Sequence, residues 1–239
     1  MKHDAEFLNR ERVGEDVMLF RLGKPEDFKF LAGQFCFLRV PDVGYKDERG
    51  LRRAFSIASS PLEKELLFVM KMSDSALKRT LVEIPVGTTV TLDEPVGSLI
   101  LPQETATPLV FLAGGVGIAP FRSLMRYVAD ARTGHRIALF YSSQTPEETP
   151  FVEELQHLPD QYQQAAVHIT MTRVGEDRKR WNGLTGRISP EMIKGSFREW
   201  EGAMYFIVGP PAMATGMKQM LIDMGIQSGR IKMELFTGY

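Results

Sequence analysis

The chain is poor in the residues that carry covalent and metal chemistry. It has one cysteine, Cys36, among 239 residues, so no disulfide can form within it and no cysteine-ligated iron–sulfur cluster can be built from it. Its four histidines, His3, His135, His157 and His168, show no ligand spacing, and no metal centre is expected. No apolar run approaches the roughly 18 residues of a membrane-spanning helix, and no signal peptide is recognisable at the start. A formal net charge of −1 exerts no overall pull toward nucleic acid or an anionic membrane. What is left is an ordinary globular composition, 44% hydrophobic and 25% charged, with a cytoplasmic location as the expectation.

The length suits two compact domains, each able to bury a core. The predicted division falls in the proline-bearing polar stretch 102–108, giving domains over 1–101 and 106–239. Before it, short strand-like segments recur at 5–12, 17–21, 34–40, 53–57, 66–71 and 88–93, with one helix over 75–83. That spacing predicts a small antiparallel β-barrel, in which Cys36 is a core residue. After it, strands at 109–113, 136–141, 166–172, 204–208 and 231–235 alternate with helical patterns. Such alternation predicts an α/β domain with a parallel sheet. Helix starts are marked by Thr149-Pro150 and Ser189-Pro190, each a capping residue followed by proline.

Two motifs carry chemistry. In Arg53-Ala54-Phe55-Ser56, strand alternation sets Arg53 and Phe55 on one face and Ser56 on the other. Arginine holds phosphate and an aromatic ring stacks on a planar heterocycle; read alone, the segment is equally an edge strand with a solvated arginine. In Gly114-Gly115-Val116-Gly117-Ile118-Ala119-Pro120, glycines follow a buried strand and open a helix. They permit positive φ and close backbone approach, and a helix N-terminus favours phosphate. The spacing differs from the usual dinucleotide fingerprint, and a tight turn without ligand is the plain alternative.

Two further segments complete an ordered set. Val208-Gly209-Pro210-Pro211-Ala212-Met213 follows a buried strand, and Glu234-Leu235-Phe236-Thr237-Gly238-Tyr239 closes the sequence, with Glu94-Pro95-Val96-Gly97 ahead of the domain division. In this order the motifs resemble the ferredoxin–NADP reductase superfamily over nearly the whole chain.

The resemblance implies a flavin-binding barrel followed by a nicotinamide-nucleotide domain. Arg53 would pair with the flavin pyrophosphate, Phe55 would pack on the isoalloxazine, and Ser56 would sit near the hydride-accepting N5. The implied flavin site also takes in Ala54, Met70, Lys71 and Met72. Ser73 and Ser75 precede the helix whose N-terminus would bind the flavin phosphates; the family usually has glycine in this segment, so either serine is a candidate. The family ending of glutamate-x-aromatic maps onto Glu234 and Phe236, with Phe236 covering the other flavin face and Tyr239 reaching toward the adenine. Ser56, Glu234 and Phe236 are thus the expected catalytic set. Family members often carry cysteine where this chain has Val208, which predicts slower hydride transfer. The resemblance favours FAD over FMN, and implies NADPH or NADH as the nucleotide bound by Gly114 to Ile118, Pro120, Gly209, Pro210, Pro211 and Met213.

Discrimination between the two nucleotides rests on the adenosine 2′ position. Ser142 and Ser143, with Gln144-Thr145, bring no acid there, while Arg173 and Arg178-Lys179-Arg180 bring cations; the arrangement leans toward NADPH. Met213, Met217, Met220 and Met224 read as a helix face packed on the sheet. Glu147, Glu148, Glu153 and Glu154 read as a solvated helix start. Lys46, Arg49, Arg52, Lys78 and Arg79 make a candidate basic rim for an acidic electron carrier. The leading expectation is a flavin-dependent reductase that takes hydride from NAD(P)H and passes electrons to a ferredoxin- or flavodoxin-like carrier. A reductase of free flavin or quinone, and an electron-transfer subunit of a larger complex, are the alternatives.

Overall fold

The computed structural model describes residues 1–174 and 181–235. Its amino-terminal part is a six-stranded antiparallel sheet of β1 (Lys2–Val13), β2 (Val17–Gly23), β3 (Phe35–Arg39), β4 (Arg52–Ser56), β5 (Glu65–Lys71) and β6 (Thr89–Asp93), in the order β4-β3-β6-β1-β2-β5. The start of β1 shows the reason for the sheet, since His3, Ala5 and Phe7 are buried while their neighbours face solvent; one face packs and the other is wet. The edges meet where the Ala58 N–H donates to the Leu67 carbonyl at 2.7 Å, curling the sheet into the expected barrel. Phe7, Phe20, Phe68, Leu38 and Leu92 fill its interior. Helix α1 (Ala76–Glu83) adds Leu77 and Leu81, one turn apart on the same face, to that core.

The second part is a six-stranded parallel sheet covered on both faces. It comprises β7 (Leu109–Gly114), α2 (Ile118–Ala131), β8 (Ile137–Ser143), α3 (Val152–Gln156), α4 (Leu158–Gln161), β9 (Ala165–Met171), β10 (Leu184–Thr185), α5 (Pro190–Ser196), β11 (Met204–Gly209), α6 (Pro211–Asp223) and β12 (Ile231–Leu235). The strand order is β10-β9-β8-β7-β11-β12. Helices α2, α3 and α4 pack on one face through Phe121, Leu155 and Leu158; α5 and α6 pack on the other through Ile193, Ala214 and Leu221. Buried on both sides, β7 is apolar or glycine throughout. Chain order reverses at β7, which lies between β8 and β11, so a crevice opens at the carboxyl ends of these strands.

Two details depart from the sequence reading. Thr149-Pro150 does not begin a helix, because the Thr149 hydroxyl and N–H turn back to the Thr145 and Pro146 carbonyls. The helix starts only at Val152, after Phe151 takes a left-handed φ of 66°. The short β10 was not expected, as its two residues are both exposed and carry no apolar pattern. Ser189, by contrast, caps α5 and accepts from the Met192 N–H at 3.3 Å.

The two parts share buried surface. Ala32 and Leu99 of the barrel pack in the core that surrounds α2. Val116 and Ala119, at the start of α2, pack among Val17, Leu19, Ala58, Leu67 and Val69 of the barrel. At this seam Gly33 has φ +92°, and a Cβ there would lie 1.9 Å from the Leu99 carbonyl oxygen, so only glycine fits. No helix among the described residues is long and apolar enough to cross a membrane.

Candidate functional site: two adjoining clefts

The seam opens into two clefts. The first, of about 1220 Å³, runs from the N-terminus of α1 along β4 and β5 to the start of α2. The second, of about 560 Å³, lies at the carboxyl ends of β7, β8 and β11. Lys71 and Val116 line both, so the two clefts adjoin there.

In the first cleft, β4 presents Arg53, Ala54, Phe55 and Ser56. Phe55 meets Phe20 edge-on at 5.5 Å and Phe68 at 6.3 Å, so most of its ring belongs to the barrel core and 8% of the residue is exposed. Arg53 is oriented by its surroundings: Nη1 donates to the carbonyls of Arg49, Gly50 and Arg52, and Nη2 donates to Asp47 Oδ1 at 3.1 Å. The other oxygen of Asp47 accepts from the Ala76 N–H at 2.7 Å, satisfying one of the orphan donors of α1. That backbone bond, with Arg53 and the Arg49 N–H, holds the Asp47 carboxyl below the usual aspartate range. Ser75 caps α1 and accepts from the Lys78 N–H at 3.4 Å, and Ser73 lines the same wall. Burial, then the charges of Arg53, Arg49 and Lys71, lower the Lys78 ammonium. Cations and a helix N-terminus thus occupy one end of the cleft, while Val69, Met70, Val116 and Ala119 give it an apolar stretch.

Glu234 stands at the far wall, next to Met233, where register with Val208 on β11 places it. Burial pushes its carboxyl above the usual glutamate range. Ser56 lines the same cleft and is buried.

The glycine turn frames the second cleft, with Gly114, Gly115, Ser142, Ser143, Pro210 and Met213 in its lining. Its glycines have distinct reasons. A Cβ on Gly117 would lie 2.5 Å from the Val208 carbonyl oxygen, and one on Gly114 would lie 2.0 Å from Met213 Sδ; both permit close packing of the turn on the β11–α6 connection. Gly115 has φ +53° with open space beside it, which leaves its backbone accessible to the cleft. Arg187, Thr172, Gln144, Glu148 and Asp16 form the remaining polar lining with Lys71. Arg187 is placed by the β9–β10 pairing, in which the Gly186 N–H donates to the Met171 carbonyl at 2.8 Å and the Gly186 carbonyl accepts from the Thr170 hydroxyl at 2.7 Å.

Several residues expected in the site are not among those lining the clefts. Met72 packs on the barrel core, and Ile118 is fully buried in the core around α2. Gly117, Pro120, Arg173, Gly209 and Pro211 are absent from both linings. Phe236, Tyr239 and Arg178-Lys179-Arg180 lie outside the described residues. The methionine face of α6 does more than pack on the sheet, since Met213, Met217 and Met220 also line the second cleft. Nor are the glutamates simply solvated: Glu148 lines that cleft and Glu154 pairs with Arg122 at 2.8 Å. Two members of the expected basic rim have acidic partners, Arg52 bonded to Asp93 at 2.8 Å and set over Phe37, and Arg79 paired with Asp74 and set over Tyr45.

The sequence reading missed Asp47, Arg187 and Phe35. Asp47 and Arg187 belong to exposed polar loops, where only the fold shows what they face; Phe35, at the start of β3, has the look of a core residue. No group of three metal-ligating side chains occurs among the described residues.

Fold and clefts together define a two-domain protein, in which a barrel and a nucleotide-type α/β domain meet at a shared site. Residues 111–219 match the oxidoreductase NAD-binding domain family. A ferredoxin NADP+ reductase from Neisseria gonorrhoeae, solved with bound FAD and NADP, is 26% identical with a TM-score of 0.79, covering 98% of each chain. The glycine betaine monooxygenase reductase subunit of Chromohalobacter salexigens is 26% identical over 91% of this chain and 59% of that protein. The anthranilate 1,2-dioxygenase electron transfer component of Acinetobacter baylyi is 26% identical over 95% of this chain and 64% of that protein. Over nearly its whole length the chain shares the fold of that ferredoxin NADP+ reductase. It spans less than two thirds of the length of those two reductase components.

Proposed function

We propose that this protein is a flavin-dependent NAD(P)H oxidoreductase, with residues 1–101 as its flavin domain and 106–239 as its nucleotide domain. The observation that carries the proposal is the pair of clefts that share Lys71 and Val116. The first fits FAD in its chemistry: a cationic end at Arg53 and the α1 N-terminus for a pyrophosphate, and an apolar length for a planar ring. When bound, a flavin takes a hydride from a nicotinamide and releases the two electrons one at a time.

The residues then have separate tasks. Arg53, with Ser73 or Ser75, binds phosphate; Ala54, Phe55, Met70 and Lys71 shape the ring-binding wall. Ser56 offers a hydroxyl donor and acceptor in the first cleft, and Glu234 brings a carboxyl to the same cleft. Val116 and Ala119 exclude water from the seam. In the second cleft, Gly114, Gly115 and Pro210 receive the nucleotide backbone, while Ser142, Ser143, Thr172 and Arg187 suit a 2′-phosphate. We therefore retain the preference for NADPH, with NADH as the alternative that Glu148 favours. Phe236 and Tyr239 keep their proposed places over the flavin ring and near its adenine.

The acceptor is proposed to be a ferredoxin- or flavodoxin-like protein. The names of the two longer relatives, a reductase subunit and an electron transfer component, support delivery to a protein over reduction of a small molecule. A cytoplasmic location belongs to the same reading. The test is anaerobic titration of FAD-reconstituted protein with NADPH and then NADH, following the visible flavin bands. Bleaching is expected with both and at lower concentration with NADPH; a protein that takes up neither FAD nor FMN would overturn the proposal.

A further inference from the structure

Arg122 lines neither cleft, yet it is the most heavily engaged side chain at the seam. It lies one turn into α2, with 7% of its side chain exposed. Two carboxylates share its guanidinium. Nη1 and Nη2 donate to Glu63 of the barrel at 2.9 and 3.1 Å, and Nε donates to Glu154 of α3 at 2.8 Å. Nη1 also donates to the Ala58 carbonyl at 2.9 Å, and the group sits 5.1 Å from the centre of the Phe151 ring. The neighbouring Ser123 hydroxyl donates to the Ser59 carbonyl at 2.6 Å and accepts from the Gly33 N–H at 3.4 Å.

The direction of this grip matters more than its strength. Glu154 fixes the guanidinium from its own domain, and the rest of the planar fork then reaches across to Ala58 and Glu63. Those residues follow directly on β4, which ends at Ser56, while α2 begins at the glycine turn that carries Val116. Ser56 and Val116 are therefore connected through the backbone to Ala58, the Arg122–Ala58 hydrogen bond and the start of α2. The apolar contacts of Val116 and Ala119 with the barrel adhere without specifying direction, whereas a guanidinium between two carboxylates specifies it.

We propose that Arg122 is a positioning residue that sets how the two clefts face one another, and so governs hydride transfer without touching either nucleotide. This rests on the proposed function. Misplacement of reacting groups by about 1 Å can cost on the order of 10²-fold in rate, so a loosened fork acts on the transfer step before it acts on binding. Burial acts against charge at Glu63 and Arg122, but the hydrogen bonds and opposite charges around them, Glu154 included, together outweigh it, lowering the carboxyl and raising the guanidinium; both groups remain charged across neutral pH.

The experiment compares wild-type protein with Arg122→Lys, which keeps the charge and loses the fork, and Glu63→Gln, which keeps a side-chain acceptor and loses the charge. Each is loaded with FAD, mixed anaerobically with NADPH in stopped flow, and separately melted by calorimetry without flavin. The expected result is unchanged flavin content and unchanged nucleotide concentration dependence, with the limiting rate of bleaching down about tenfold. The flavin-free melt is expected to broaden or split as the domains lose their coupling. A limiting rate within twofold of wild type, in a variant whose melt has changed, would overturn the proposal. An unchanged melt in both variants would overturn it too, because the fork would then not couple the domains. Wild-type protein that takes up no flavin sinks the functional reading instead, and the flavin-free melt still decides the coupling.

Discussion

Asp47 and Arg53 face each other at 3.1 Å inside the first cleft, and the same carboxylate accepts the Ala76 N–H at the head of α1. An internal anion thus holds the two kinds of donor, a guanidinium and a helix N-terminus, that an incoming pyrophosphate requires. Asp47→Asn removes that charge and keeps an acceptor. The expected outcome is severalfold tighter FAD binding by fluorescence titration and a slightly lower melting temperature of the flavin-free protein. Weaker binding would mean that the carboxylate serves to orient Arg53. The sign of the pH effect follows from the depressed carboxyl. Its contribution to stability is present above the unfolded aspartate range and is lost as pH falls through the lowered folded value.

Ser56 ends β4, and its buried hydroxyl lines the first cleft. Ser56→Ala is expected to slow flavin bleaching by about tenfold, the scale of one lost orienting hydrogen bond at a reacting centre. Flavin content is expected to stay at the wild-type level. Unchanged bleaching kinetics would remove Ser56 from the mechanism.

Arg187 makes no hydrogen bond or ion pair with another described residue while lining the second cleft. If it receives a 2′-phosphate, its removal costs a charged hydrogen bond of about 1.5–3 kcal/mol, which is roughly tenfold or more in affinity. Arg187→Ala should raise KM for NADPH by that factor and leave KM for NADH nearly constant. Equal losses for both nucleotides would assign Arg187 to the shared part of the ligand.

Burial raises the Glu234 carboxyl. A folded carboxyl raised above its unfolded value binds more protons in the native state, so stability is greatest at acid pH and falls as pH rises from the unfolded toward the folded value. Glu234→Gln removes that fall. The melting temperature of the variant should exceed wild type at pH 7 and match it near pH 4, whereas a variant less stable at both values would mean that the carboxylate has a partner in the folded protein.

The two close-packed glycines of the turn should respond differently to alanine. At Gly117 the added methyl meets the Val208 backbone carbonyl, which cannot move without shifting β11. A loss of about 2–3 kcal/mol or more is expected, in the range of overpacking. At Gly114 the clash is with the end of the Met213 side chain, which is flexible. Thermal denaturation should rank Gly117→Ala well below Gly114→Ala.

The barrel and the parallel sheet were legible because their signals are periodic. Alternation in β1 and the unbroken apolar run of β7 follow from which faces are buried, and both survive in the sequence alone. The glycine turn was legible for the same kind of reason, since a turn between a buried strand and a helix leaves few residue choices. Relationships across the seam were not legible. Arg122 reads as one more polar position on a helix, and Glu63 and Glu154 as ordinary surface acids, until the fold brings loops distant in sequence around one guanidinium. Arg187 was hidden in the same way, because β10 is too short to have a pattern and its pairing alone carries the arginine to the cleft. Phe55 shows the reverse case: its chemistry suggested a free stacking face, and the barrel claims most of the ring.

Cys36 lies inside the barrel with no exposed surface, and burial, followed by the charge of Asp93, pushes its thiol up to about 12. At neutral pH it is a protonated and inaccessible group that reagents for thiolates do not reach. The protein is therefore a blank background for site-directed labelling. A cysteine introduced on the outer face of α6, and another on the barrel, would be the only two reactive thiols in the molecule. A donor and acceptor dye placed there would report the separation of the domains directly, without first removing a native residue.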